Sequence, residues 1–146
     1  MRSYQVAGLG CSLSVLITEA SKEQLKFLFS RTWPESWIGD NPSLIRDGIY
    51  GFNFLHGVGA YNSFPSKHMA AACGVLSVLW FWYPRLRGLW VIAVGAGLVG
   101  LNYHFLSDVL AGSFLGSSIG WMATAIWALA APATFPRASD CVDIKD

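Results

Sequence analysis

The chain has 146 residues, of which 53% are hydrophobic and 13% charged, with a formal net charge of +1. The charged share is about half that of an ordinary soluble domain, which points to a membrane, and the near-neutral balance lacks the basic stripe that an extended nucleic-acid surface requires. Three widely spaced cysteines, Cys11, Cys73 and Cys141, give no readable disulfide framework or metal knuckle and read as small apolar fillers.

Four apolar segments can be marked, at 4–29, 68–83, 89–103 and 109–131, to be set against the roughly 20 residues that cross a hydrocarbon core. In the first, Ala20 suits a signal-cleavage site, but apolar positions continue through Leu25, Phe27, Leu28 and Phe29, so a span is expected rather than a cleaved leader. Glu19, Lys22, Glu23 and Lys26 recur at spacings of three and four and share one helical face. Charge within a span faces a polar cavity; a helix end leaving the membrane needs no cavity, and that is the reading favoured for Glu19, Lys22 and Glu23.

Residues 30–66 form the longest polar connection, rich in Gly, Pro, Asn and Asp. Loops of that size between spans are uncommon unless they work, and the part after Pro42 has room for a short surface helix. The next connection, YPRLRG, carries Arg85 and Arg87 and reads as a tight cytoplasmic hairpin. The N-terminus and the tail at 132–146 are then also inside, while Lys26, Arg31, Arg46, Lys67 and His104 gather outside. The ten Lys and Arg divide evenly between the faces once Lys22 is placed outside. GAGLVG, residues 95–100, has the small residues that suit close helix packing, and no strand precedes it as a nucleotide loop would require. The expected fold is an all-α multi-pass transmembrane bundle of about four spans, a single membrane-embedded domain over 1–146.

The chemistry-bearing residues meet at the outer face. FPSKHMAA opens the second segment with Ser66, Lys67 and His68, and HFLSD places His104 four residues before Asp108. On a helix, that spacing lets the carboxylate accept from one imidazole nitrogen and make the other nucleophilic or basic. A helix start at Ser66 offers free N–H groups and the positive dipole end to an anion, and Pro-Ser is equally an ordinary N-cap. Two imidazoles, a carboxylate and several cations suit phosphoryl transfer without metal; metal ligation by the same His and Asp residues is the competing use.

These segments resemble the signatures of the type 2 phosphatidic acid phosphatase superfamily, membrane enzymes that share a phosphate site with vanadium haloperoxidases. The signatures are Lys, six residues, then Arg-Pro; Pro-Ser-Gly-His; and Ser-Arg, five residues, His, three residues, Asp. Here they read KFLFSRTWP at 26–34, PSKH at 65–68 and GLVGLNYHFLSDVLAG at 97–112. The resemblance implies that His104 is the nucleophile forming a phosphohistidine, that Asp108 orients it and that His68 is the general acid. Ser66, the N–H at Lys67, and Lys26 would bind phosphate oxygens, with no metal or other cofactor.

Departures occur in all three signatures. Trp33 stands where the first has arginine, with Arg31 two residues earlier; Lys67 replaces the glycine of the second; Gly97 and Leu98 replace the Ser-Arg of the third. Two phosphate-binding arginines are therefore missing, and Arg31 and Lys67 are the available substitutes. Lys67 has two readings, a point charge without arginine's fork or a side chain crowding a place of close backbone approach.

The resemblance further implies a lipid phosphate or pyrophosphate as substrate, a bilayer as partner and no nucleic acid. It implies a multi-pass place in a bacterial inner membrane, with the site facing the periplasm or exterior. The family core typically has six spans, so the chain reads as a short form or as one that recruits a second copy into a homo-oligomer. A lipid phosphotransferase and an impaired member that only binds headgroups remain the other readings of the same residues.

Overall fold

The computed structural model describes residues 3–36, 40–57, 59–82 and 89–130, with side chains described within 7–36, 40–57, 59–80 and 91–129. The expected hairpin at Arg85 and Arg87, the tail at 132–146 and Cys141 lie outside the described residues.

Each expected apolar segment is helical: α1 (Ser3–Phe29), α3 (Lys67–Trp82), α4 (Leu89–Gly100) and α5 (Leu106–Ala130), with the short α2 (Leu44–Asp47) in the long loop after Pro42. Among the described residues there is no strand, only isolated bridges. Among the described residues one helix, α5 over Leu106–Leu129, is long and apolar enough to cross a membrane, and Val91–Gly100 of α4 is a shorter apolar helix.

The tightest pairing is α3 against α5, and small residues explain it. Gly112, Gly116 and Gly120 fall every fourth residue on α5 and so share one face. A Cβ on Gly112 would stand 2.5 Å from the Ser66 carbonyl oxygen, and one on Gly120 2.5 Å from that of Gly74. The backbones are in direct contact, as small-residue interfaces permit. GAGLVG, expected to pack closely, does so only through Gly95, whose Cβ would meet Val109 at 3.3 Å, whereas Gly97 and Gly100 face open space. Met69, Cys73 and Val109 form a small core beside this contact, with Val91, Val94, Leu98 and Val99 of α4 against it.

Helix α1 is inverted relative to a soluble amphipathic helix. Its buried row is Ser14, Thr18, Lys22 and Lys26, while Leu9, Leu13, Leu16 and Ile17 are exposed. On α5 likewise Phe114, Trp121, Ile126 and Leu129 point outward. Outward apolar side chains on this scale mark a surface that something apolar covers. The charged end of α1 differs from expectation at one residue. Glu19 and Glu23 have emerged, with side chains 46% and 47% exposed, but the Lys22 side chain is 5% exposed and turns inward, held by Glu19 at 2.9 Å and Glu23 at 2.6 Å. Two flanking carboxylates satisfy the buried cation, so no exit to the interface is needed.

The long loop is built around residues 30–34. Asn53 N–H donates to the Ser30 carbonyl, Thr32 N–H to Gly51, Ser63 N–H to the Arg31 carbonyl and Leu44 N–H to Trp33. This stitching folds the loop over the ends of α3 and α5 and buries Ser30, Arg31, Thr32, Ser43 and Ser63.

Candidate active site

His104 sits between two helix caps rather than on a helix, which corrects the reading of HFLSD as a single helical face. Asn102, with φ of 54°, ends α4: its N–H donates to the Val99 carbonyl and the Tyr103 N–H to Leu98, the hydrogen-bond pattern of a Schellman motif with Asn in the left-handed position. Phe105 then starts α5. Its side chain cannot cap, and the Asp108 carboxylate does so from the third helical position, with Oδ2 accepting from the Phe105 N–H at 3.1 Å. His104 is thereby fixed in the turn, its own N–H donating to the Leu98 carbonyl at 3.1 Å.

The His104 side chain is 1% exposed, with Nδ1 3.6 Å from Asp108 Oδ2, beyond hydrogen-bond length. Neither ring nitrogen has a partner. Asp108 is fully buried and heavily engaged: Oδ1 accepts from Arg31 Nη1 at 2.5 Å, and Oδ2 also accepts from Ser63 Oγ at 2.6 Å. The guanidinium is held in turn by Ser107 Oγ at 2.6 Å and the Tyr50 hydroxyl at 2.8 Å, with the Phe105 ring centroid 4.3 Å from Cζ.

Arg31 thus reaches the site, and it does so through the carboxylate behind His104. The pair is 3% and 0% exposed. Arg31→Met should lower unfolding free energy by about 3–5 kcal/mol, the cost of leaving one member of a buried pair behind. Thermal unfolding of the purified protein checks this against Arg46→Met, whose exposed contacts with Asp40 and Asp47 are worth about 0–1 kcal/mol. Equal shifts would show that Asp108 needs no cation.

The second imidazole faces the first. Ser66 caps α3, its Oγ accepting from the Met69 N–H at 3.4 Å, and its own N–H donates to the Asp108 carbonyl at 3.1 Å. That link ties the start of α3 to the start of α5. His68, in the first turn of α3, is exposed, with its ring 6.4 Å from that of His104. Lys67 is exposed beside it. Lys26, at the end of α1, is 5% exposed, and no carboxylate lies within ion-pair distance of it among the described residues. Its charge and that of Lys67 act on each other and on His68. Among the described residues no group of three or more His, Cys, Asp or Glu converges as a metal site would.

The sequence-predicted residues His68, His104, Asp108, Lys26, Ser66 and Lys67 therefore cluster, with Arg31 joined to them behind Asp108. Sequence reasoning missed Ser63, Tyr50 and Tyr103, and it saw Trp33 only as an absent arginine. Trp33 packs its ring 5.4 Å from His104 and 5.6 Å from Tyr103, and its Nε1 donates to the Ala60 carbonyl at 2.9 Å. It packs against one side of the His104 ring. Asn102, at the left-handed position, was the one local signal that His104 lies in a turn.

Two imidazoles, a buried carboxylate and neighbouring cations are the chemistry of phosphate handling, and in the comparison with family models the PAP2 superfamily model matches residues 7–131. The chain belongs to the PAP2 superfamily, whose members are generally phosphatases and often membrane-associated. No curated protein and no solved structure matches it.

Proposed function

We propose that the chain is a metal-independent phosphatase for a lipid phosphate or pyrophosphate, embedded by several spans in a bacterial inner membrane with its site at the periplasmic face. The observation that carries this reading is a set of buried polar groups without partners. Both ring nitrogens of the buried His104 lack a partner, a state that buried polar groups in native proteins rarely occupy unless a ligand completes them, and Lys26, 5% exposed, has no carboxylate within ion-pair distance among the described residues. An anion between Lys26, Lys67 and the start of α3 supplies the missing partner.

The chemistry follows from the two rings. With Nδ1 turned toward Asp108, His104 Nε2 attacks phosphorus; the N–P bond forms as the P–O bond to the leaving group breaks, and His68 gives its proton to the leaving oxygen. Water then attacks the phosphohistidine, His68 takes the water's proton, and inorganic phosphate leaves with His104 restored. Arg31 and Ser63 act by holding Asp108, while Lys26, Lys67 and the α3 N–H groups neutralise the phosphoryl oxygens. Outward apolar faces on α1 and α5, with a polar row inside α1, support the membrane reading.

A headgroup-binding protein without turnover is the second reading, favoured by one observation: Trp33 and Leu98 occupy the two places where the family signatures carry arginine. Phosphate release from a panel of lipid phosphates in detergent separates the two. The phosphatase is expected to release phosphate from at least one, to be unaffected by chelator and to be inhibited by vanadate. Loss of activity with chelator would replace the phosphohistidine route with a metal-assisted one, and silence across the panel with folded protein would leave the binding reading.

A further inference from the structure

We infer that the substrate is the monophosphate of a single-chain hydrocarbon alcohol, and that its chain lies in the groove between α3 and α4 that opens at His68. The inference rests on the phosphatase reading above and narrows it to one leaving group.

The groove is shallow and open along one side, has a volume of about 470 Å³ and begins at the rings of His68 and Tyr103. Its remaining lining is Ala93, Val94, Gly97, Leu98 and Leu101, which carry no side-chain polar atom. Ala93, Gly97 and Leu101 recur every fourth residue, so they form one stripe leading away from His68 along α4.

The reaction geometry directs the leaving group there. When Nε2 of His104 takes phosphorus, the ester oxygen must lie within hydrogen-bond reach of the His68 ring to receive its proton. The first carbon of the released alcohol then stands at the groove mouth and the next carbons enter it. A hydrocarbon chain attached directly to that oxygen meets an apolar lining at once. A glycerol backbone would bring ester carbonyls to the same place, where beyond His68 and Tyr103 no lining side chain can donate to them. A diphosphate would place a charged phosphate there instead. The same exchange is visible in the signatures: Leu98 lines the groove at a position where relatives carry a phosphate-binding arginine, so recognition has moved from the phosphate toward the chain.

The test uses the full chain in detergent at fixed lipid mole fraction, with dodecyl phosphate, didecanoyl phosphatidic acid and phenyl phosphate as substrates. Gly97→Phe sends a ring into the groove from a position where a Cβ meets nothing within 4 Å; Leu101→Asn, at an exposed position, makes the groove polar instead. The natural chain should favour dodecyl phosphate over phosphatidic acid, and each variant should lower the kcat/KM ratio of dodecyl to phenyl phosphate about tenfold, the scale of a few methylenes in an apolar pocket. Preference for phosphatidic acid, or a ratio that neither variant moves, overturns the inference. If no substrate yields phosphate, the phosphatase reading fails separately. Binding of dodecyl phosphate, followed by tryptophan fluorescence, then decides the groove: affinity about tenfold weaker in Gly97→Phe supports it, and equal affinity overturns it.

Discussion

His104→Ala is expected to remove phosphate release almost entirely, by about 10⁵-fold or more, the scale at which loss of a covalent nucleophile is felt when the rest of the site depends on it. The expectation comes from the ring's surroundings. His104 is held by caps on both sides, walled by Trp33 and Tyr103, and neither nitrogen is spent on a protein partner. A side chain so buried with nothing to bond is costly for stability, so its removal should leave the thermal transition unchanged or raised while activity disappears. His68→Ala should cost less, about 10²–10⁴-fold, as general acid-base catalysis does. Initial rates of phosphate release, together with alkaline-quench trapping of an acid-labile phosphoenzyme that survives in His68→Ala and is absent in His104→Ala, check the assignment. Equal, modest losses in both variants would mean that neither ring is the nucleophile.

Much of this site was legible in the sequence because its chemistry is carried by residue types with few other uses. PSKH and HFLSD named the two imidazoles and the carboxylate, and Lys26 was visible as a cation at a span end. The geometry was less legible, for identifiable reasons. The four-residue spacing of His104 and Asp108 suggested one helix face, yet Asp108 caps α5 from its third position, and a residue that does so leaves position 104 outside the helix. Arg31 was seen as a substitute for a missing phosphate clamp. Whether its guanidinium went to phosphate or to Asp108 depended on the path of the loop, which is set by long-range pairing of 30–32 with 51–53 and 63, and of 33 with 42 and 44. No local pattern encodes that pairing. Ser63 escaped notice for the same reason: a loop serine acquires a role only when the fold brings a buried carboxylate to it.

The helices illustrate a similar limit. Their positions followed from apolar runs, but the period gave little about which face turns inward, because α3, α4 and α5 are apolar on nearly all sides. On α1 the structure turns Ser14, Thr18, Lys22 and Lys26 inward, opposite to the rule for soluble helices, whereas the sequence pattern placed Lys22 at a helix end leaving the membrane. GAGLVG was the stretch expected to pack closely, and α5 carries three further glycines on one face. Only the partner backbone distinguishes them, and it selects Gly112, Gly116 and Gly120.

Gly116 is therefore where a single methyl group is expected to do most harm to the fold. A Cβ there would lie 2.0 Å from the Ala70 carbonyl oxygen, 2.8 Å from its carbon and 2.9 Å from the Gly74 nitrogen. All three are backbone atoms, so no side chain can rotate aside, and relief requires α3 and α5 to separate by about an ångström or more at this crossing. Gly116→Ala should cost at least about 3 kcal/mol, the upper part of the range for overpacked cores, and Gly116→Leu should prevent native packing. The control is Gly8→Ala on α1, where a Cβ meets nothing within 4 Å and helix propensity favours alanine by up to about 1 kcal/mol. The functional consequence follows from what the two helices carry. Ser66 and His68 ride on α3, and Asp108 on α5, joined by the Ser66 N–H to Asp108 carbonyl bond. Spreading the helices shifts the acid away from the nucleophile, and a misplacement of 1 Å costs about 10²-fold in rate. Thermal unfolding and phosphate release measured on the same Gly116→Ala sample should fall together, while Gly8→Ala keeps both. Preserved activity per folded molecule in Gly116→Ala would show that the crossing sets stability alone and that the loop, with its hold on Asp108 through Arg31 and Ser63, positions the site independently.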